Sequence, residues 1–425
     1  MFEFVYEYPE SCACFCVSLV CLGFAHFFKK DFFSPLTIYC FSQSLTLGIA
    51  YLKFNIYMTD FHLKTWLIWI GAMISFFVGA SCTRFVWKIK QSAEKNVKSK
   101  QSLISYNWNY HLFFSFILFF LYVLGVVGIV LVAGNLLLLT GNPSRWMTKD
   151  IDYGYWALLF NSSPLVIMFF GIASFKSINP IKRIRVISRI MLPIVLVLNV
   201  FAYPNRGTLF LDLGVLLILV NYLKKRISPV LIIFCLIIAA CFFVVISDMR
   251  SQYGASVKDV AVNTALDLPY KYVANNYWNL DYAVNPPTDR EMHPHTYGID
   301  FFAGIFDYSP ITGSIRNSFG WDGLFNERVQ KVQGLNTTGY LWEVYKDLYM
   351  PGVIFFPFFV GMALSLLHST MLSKMNPRNL LFYTLYIYLV GWWFFNHAYK
   401  QGIYWVWSLI IFVFTTICFQ REKQV

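Results

Sequence analysis

Residues 111–138 read HLFFSFILFFLYVLGVVGIVLVAGNLLL, a run without one Asp, Glu, Lys or Arg. As an α-helix this run would rise about 42 Å, more than the roughly 30 Å hydrocarbon core of a bilayer. A stretch so long and so apolar reads as a membrane span. Working outward, ten further runs qualify: 11–28, 34–52, 65–87, 153–175, 189–203, 208–223, 229–247, 351–371, 380–397 and 401–419. Proline at 35, 229 and 351 falls where a helix would start, and there its missing N–H costs nothing.

The composition agrees. Of 425 residues, 57% are hydrophobic and only 13% charged, against roughly 25% charged in an average soluble domain. This excludes a soluble globular enzyme, a disordered chain and a disulfide-stapled secreted scaffold. Aromatics reach 20%, and Tyr and Trp favour bilayer interfaces. All nine cysteines lie in or beside apolar runs, where Cys behaves as a small hydrophobe. The acidic start MFEFVYEYPE lacks the positive n-region of a signal peptide, so the first apolar run reads as a retained span.

Charge sets the orientation. The segments after the first, third, fifth, seventh, ninth and eleventh runs are all basic, among them KIKQSAEKNVKSK, KSINPIKRIRVISR and KKR. The alternate segments are poor in Lys and Arg. Basic loops stay in the cytoplasm. The expected class is therefore an all-α polytopic membrane protein with about eleven transmembrane helices, N-terminus outside and C-terminus cytoplasmic. The net charge of +12 is spent on topology, and no nucleic-acid partner is implied. Three parts follow: helices one to eight over 1–247, a large outer loop over 248–350 with short helices, and the last three spans over 351–425. The loop holds 8 Lys/Arg and 12 Asp/Glu, and a connection this long usually carries function.

Runs 189–203 and 208–223 would rise only about 22–24 Å. The turn Tyr203-Pro204-Asn205-Arg206-Gly207 between them would then lie below the outer surface. Irregular backbone at that depth lines a cavity or is buried in protein. Arg206 is thereby placed at the floor of an outward-facing chamber, or is a snorkelling residue of an ordinary turn. Arg250 follows the eighth run, at the chamber rim or as an interface anchor. Two arginines there suit a diphosphate.

Within the loop, Asp289-Arg290-Glu291-Met292-His293-Pro294-His295 offers two imidazoles. Either can bind a metal with the nearby Glu, act as a general base, or simply decorate a polar loop. Tyr270, Tyr272, Tyr277, Trp278, Tyr282 and Trp321 offer flat rings for sugars or for the membrane interface. From Thr338 to Tyr349 the pattern predicts a short helix. It puts Glu343 and Asp347 on one face, as an acid–base pair or as solvating charge. No phosphate-cradling loop, dinucleotide fingerprint, Gly-X-Ser-X-Gly elbow or His-Glu-X-X-His occurs, so energy for any chemistry must come from an activated substrate.

The layout resembles that of the Wzy-type O-antigen polymerases, or oligosaccharide repeat-unit polymerases. The matching features are the span number, Asn205-Arg206-Gly207 between two runs, and the late outer loop. Asn336-Thr337-Thr338 … Tyr345-Lys346-Asp347-Leu348 … Gly352 is similar to the family's Asn-Thr … Tyr-x-Asp-Phe-Gly-x-x-Gly pattern, with Leu348-Tyr349 standing at Phe-Gly. Arg328 and Gly339 have the spacing of its Arg-x10-Gly motif. The resemblance implies a GT-C-like, metal-independent glycosyltransferase of the bacterial inner membrane without cofactor. Its substrate would be an undecaprenyl-diphosphate-linked oligosaccharide, its partners membrane lipid and a polysaccharide chain-length regulator. Arg206, Arg250 and Arg328 would hold the diphosphate. His293, His295, Glu343 and Asp347 compete for the role of base. O-antigen ligase and a lipid-linked oligosaccharide flippase or transporter are the rival readings.

Overall fold

In the computed structural model the described residues are 8–25, 27, 31–54, 59–95, 104–133, 154–202, 206–228, 230–232, 234–235, 267–286, 295–298, 337–395 and 401–421. They are almost entirely helical: α1 (Pro9–Phe24), α2 (Pro35–Ala50), α3 (Leu63–Lys95), then strand β1 (Ile104–Tyr106), α4 (Trp108–Ala133), α5 (Gly154–Phe160), α6 (Ser163–Ala173), α7 (Lys182–Ala202), α8 (Arg206–Leu223), α9 (Asp267–Val284), α10 (Tyr340–Ser373), α11 (Pro377–Gly391), α12 (Gly402–Cys418) and strand β2 (Phe419–Arg421). Among the described residues three stretches are long and apolar enough to cross a membrane: Leu63–Thr83, Trp108–Val132 and Tyr340–Ser373. Pro9–Phe24, Leu158–Ala173, Phe210–Leu223 and Gly402–Cys418 are shorter apolar segments.

Helix starts follow local chemistry. Pro9 and Pro35 open α1 and α2, where a residue without N–H removes no helical bond. Pro351 behaves differently from the expected span start. It lies inside α10, just after a kink at Leu348 (φ −131°, ψ 15°) and Tyr349 (φ 57°, ψ −152°). The helix of the outer loop and the ninth apolar run are thus one element, bent where the two meet.

Two boundaries differ from the sequence reading. Run 153–175 is broken into α5 and α6. Pro164 cannot donate to Phe160 and its ring would clash there, so a new helix starts at Ser163. Run 189–203 is extended backwards to Lys182. The basic turn KRIRVISR, assigned to a loop, is amphipathic and helical. With 21 residues, α7 rises about 32 Å, but its first eight residues include Lys182, Arg183, Arg185 and Arg189, so its apolar part is no longer than the run. Arg206 and Gly207 are the first helical residues of α8.

The chain divides into two compact units, 1–93 with 262–369 and 389–406, and 94–261 with 370–388 and 407–425. In the first, α2 packs against α1 and α9. Tyr39 stacks on Phe76 with ring centroids 3.9 Å apart, and Trp393 meets both Tyr340 (4.5 Å) and Phe356 (5.4 Å). Helices α3 and α10 touch through their glycines. A β-carbon at Gly79 would lie 2.0 Å from the Phe358 carbonyl oxygen, and one at Gly361 would lie 2.6 Å from that of Phe76. The Thr83 hydroxyl donates to the Met362 carbonyl at 2.9 Å, and Ser75 donates to that of Ile354. Small residues with hydroxyl bonds to the neighbouring backbone are how apolar helices approach closely.

In the second unit, β1 and β2 pair antiparallel, with Ile104 opposite Arg421 and Tyr106 opposite Phe419. His111 donates from Nε2 to the Phe169 carbonyl at 3.0 Å and stacks on that ring. Asp212 is fully buried in α8. It accepts from the Asn199 amide and from the Ser163 hydroxyl at 3.4 Å, while Tyr122 donates to Asn199 Oδ1 at 2.7 Å. Asp212 is the acidic residue nearest to Arg206 in the sequence. Its hydrogen bonds here run to α6 and α7, and the Arg206 side chain lies outside the described residues.

Candidate functional site

The richest polar cluster lies in the first unit, at the N-terminal end of α10. Asp347 is buried, and its Oδ1 accepts from the Thr296 hydroxyl at 2.6 Å and from the Gly298 N–H at 2.7 Å. One turn earlier Glu343 accepts from the Thr338 hydroxyl at 3.1 Å and faces Lys346 Nζ at 3.7 Å. The two carboxylates occupy neighbouring turns, as their spacing implies, but they serve different partners. Asp347 fastens the 295–298 turn, and Glu343 fastens the helix start.

His295 joins the same cluster. Its Nδ1 donates to the Lys346 carbonyl at 2.9 Å, the Thr296 N–H reaches that carbonyl at 3.3 Å, and the imidazole stacks on Tyr349. A donating Nδ1–H leaves the lone pair of a neutral ring on Nε2. Burial pushes the His295 pKa below its ordinary value, and Lys64 adds to the fall, against the carbonyls of Lys346 and Tyr345. A neutral imidazole beside a fixed carboxylate is suited to accept a proton. The turn itself is tight: Tyr297 has φ 51° and Gly298 φ 92°.

A second polar cluster joins α3 to α9. Asp281 accepts from the Thr65 hydroxyl at 2.5 Å, the His62 N–H at 3.0 Å and the Asn285 amide at 3.3 Å, and the His62 ring lies 3.1 Å away. Lys64 bridges the clusters, since its Nζ donates to the Val284 carbonyl at 3.1 Å and lies over the Tyr345 ring at 5.2 Å. Asn275 and Asn279 both donate to the Thr337 carbonyl, and Asn275 also reaches its hydroxyl at 2.9 Å. Sequence reading missed Asp281, His62 and these asparagines. Their signal was present in VANNYWNLDYAVN, where 275 and 279, and again 281 and 285, repeat at four residues.

The structure thus brings His295, Glu343 and Asp347 to one helix end. Tyr270, Tyr277 and Trp278 are core residues of α9 instead of exposed platforms for sugars. Tyr277 shares a hydrogen bond of 2.7 Å with Thr46, and Tyr270 donates to the Ala50 carbonyl at 2.9 Å. His293, Arg250, Arg328 and Trp321 lie outside the described residues, as does most of run 229–247. Among the described residues, no three His, Cys, Asp or Glu side chains gather as metal ligands would. Comparisons with family models, curated proteins and solved structures return no match.

Proposed function

We propose that the chain polymerises undecaprenyl-diphosphate-linked oligosaccharide repeat units at the periplasmic face of the bacterial inner membrane, the face at which the basic-loop rule puts 248–350. One observation carries this reading. Tyr349 stands where the polymerase pattern has glycine, and it adopts φ 57°, ψ −152°, a backbone region that glycine alone enters freely. A glycine at this position would adopt that backbone without strain. The same bend joins a cluster of buried polar groups to a helix long enough to cross a bilayer, which suits a sugar linked to a lipid.

In this mechanism a hydroxyl at the non-reducing end of the incoming unit attacks the anomeric carbon of the growing glycan. The C–O bond to the diphosphate breaks, and undecaprenyl diphosphate leaves. His295 takes the hydroxyl proton. Asp347 acts as a positioning residue, holding the turn that carries His295. Arg206, Arg250 and Arg328 neutralise charge developing on the leaving diphosphate. Eleven spans with the N-terminus outside, a GT-C-like plan and independence from metal belong to the same proposal.

Surface lipopolysaccharide from a deletion strain tests it. A lost ladder with core plus one repeat unit retained supports polymerisation. Loss of every repeat unit points to ligase, flippase or an earlier step, and an unchanged ladder overturns the reading. Arg206→Ala in an inserted protein is expected to abolish polymer, and chains of normal length would remove Arg206 from the diphosphate site.

A further inference from the structure

One end of the second unit is strongly basic. From 154 to 228 the sequence has nine Lys or Arg and one acidic residue, Asp212, which is buried in α8. Three of the cations are held by their surroundings. Arg185 donates to the Asn179 and Pro180 carbonyls at 2.8 and 2.7 Å, Arg189 donates to that of Ser174 at 3.1 Å, and Arg226 lies over the Tyr222 ring at 4.6 Å. Lys176, Lys182, Arg183, Lys224 and Lys225 carry no such contact among the described residues, and all five are exposed. They come from two turns that touch, because the Ser177 hydroxyl donates to the Leu223 carbonyl at 2.7 Å and sets the 176–183 segment beside the end of α8. Lys182 and Arg183 open α7, whose first turn has no acidic residue, and cations at a helix start oppose its dipole.

The same face of α7 continues as an exposed apolar stripe: Val186, Ile190, Ile194 and Val197, at spacings of four, four and three. Lys182 and Arg183 precede Val186 by four and three residues, so they lie on that face one turn earlier. Topology requires only that a loop be basic. It does not require cations from two turns to converge at the foot of an apolar stripe. We infer that this end of the second unit binds an anionic phospholipid carrying two phosphodiesters. Lys182 and Arg183 meet one phosphate, Lys224 and Lys225 meet the other, and Lys176 adds charge at the junction. The acyl chains lie along the stripe of α7. Basic clusters between membrane helices hold headgroups of this kind, and a phosphate near the first turn of α7 offsets the charge that the helix itself disfavours. Nothing in this site depends on the substrate being an oligosaccharide.

Native mass spectrometry of the full chain in detergent tests this site, with cardiolipin, phosphatidylglycerol, phosphatidylethanolamine and inorganic pyrophosphate as probes. Cardiolipin should bind at least about fivefold more tightly than phosphatidylglycerol, and more tightly still than the zwitterionic lipid or pyrophosphate. Each cation removed should weaken cardiolipin about fivefold, so Lys182→Gln and Lys224→Gln should each do so, and the two together about twenty-five-fold. Lys182→Arg and Lys224→Arg keep the charge and should keep the lipid. Both positions are exposed, and unfolding at the wild-type temperature identifies the folded variants. Unaltered cardiolipin binding in a folded Lys182→Gln/Lys224→Gln protein would overturn the assignment, as would equal binding of cardiolipin and either other lipid. Pyrophosphate held as tightly as cardiolipin would overturn it too, and leave a site for a soluble anion to which the apolar stripe adds nothing.

Discussion

Thr296 donates its hydroxyl to Asp347 at 2.6 Å across 51 residues of chain, and the Gly298 N–H meets the same carboxylate oxygen. This one side chain holds the 295–298 turn against α10. Asp347→Ala strands both donors and should cost about 1–3 kcal/mol. Thermal unfolding in detergent reads the loss, and amide exchange at Gly298 localises it. Asp347→Asn should lose less, because its amide oxygen still accepts.

Tyr349 carries a tyrosine in backbone space that disfavours any β-carbon. Relief of that strain is worth about 1–3 kcal/mol, and the ring stack on His295 contributes about 0.5–1.5 kcal/mol the other way. Tyr349→Gly should therefore unfold at the wild-type temperature or above it, and Tyr349→Val below it. A Tyr349→Gly protein much less stable than wild type would show that the ring contacts outweigh the backbone.

Gly79 and Gly361 set the approach of α3 to α10. Gly79→Val places branched carbon against the Phe358 carbonyl, where even one β-carbon would lie at 2.0 Å. Overpacking of this kind costs about 1–3 kcal/mol, and the Thr83 bond to Met362 should break with it. Reduced yield and a lower unfolding temperature are expected for Gly79→Val and for Gly361→Val. Wild-type behaviour of both would mean the helices do not meet there.

The pH dependence of the 295–298 turn has a definite sign. The folded-state pKa of His295 lies below its ordinary 6.5, first through burial and then through Lys64. Between the two values the unfolded state binds more protons, so stability is full above about pH 6.5 and falls as pH drops toward the folded value. Asp347, Glu343 and Lys346 share this helix end with the ring. Amide protection at Thr296 and Gly298, corrected for intrinsic exchange, should decline from pH 7 to pH 5. His295→Gln should flatten the decline.

The apolar runs were legible because burial of hydrocarbon adds residue by residue along a helix, and ten of the eleven coincide with helices described here. Breaks were less legible. Pro164 ends a helix through a clash with a carbonyl four residues earlier, inside a stretch whose hydropathy is uninterrupted. The Lys182 start was hidden because a basic amphipathic turn and a basic loop have the same composition. At the candidate site, Asp347 and His295 stood out as titratable residues in a polar segment. Asp281 and Asn275 did not, since their meaning depends on Thr65 and Thr337, residues 216 and 62 positions away.

The short ladder between Ile104–Tyr106 and Phe419–Arg421 also bears on how the protein can be threaded. Strands joined by backbone hydrogen bonds occupy the same aqueous compartment. A tag cleaved after residue 421 and a protease site placed just ahead of residue 104 must therefore be reached from the same side of sealed vesicles, whichever way the chain is inserted. An even number of bilayer crossings between the two strands is the outcome this ladder predicts for that accessibility experiment.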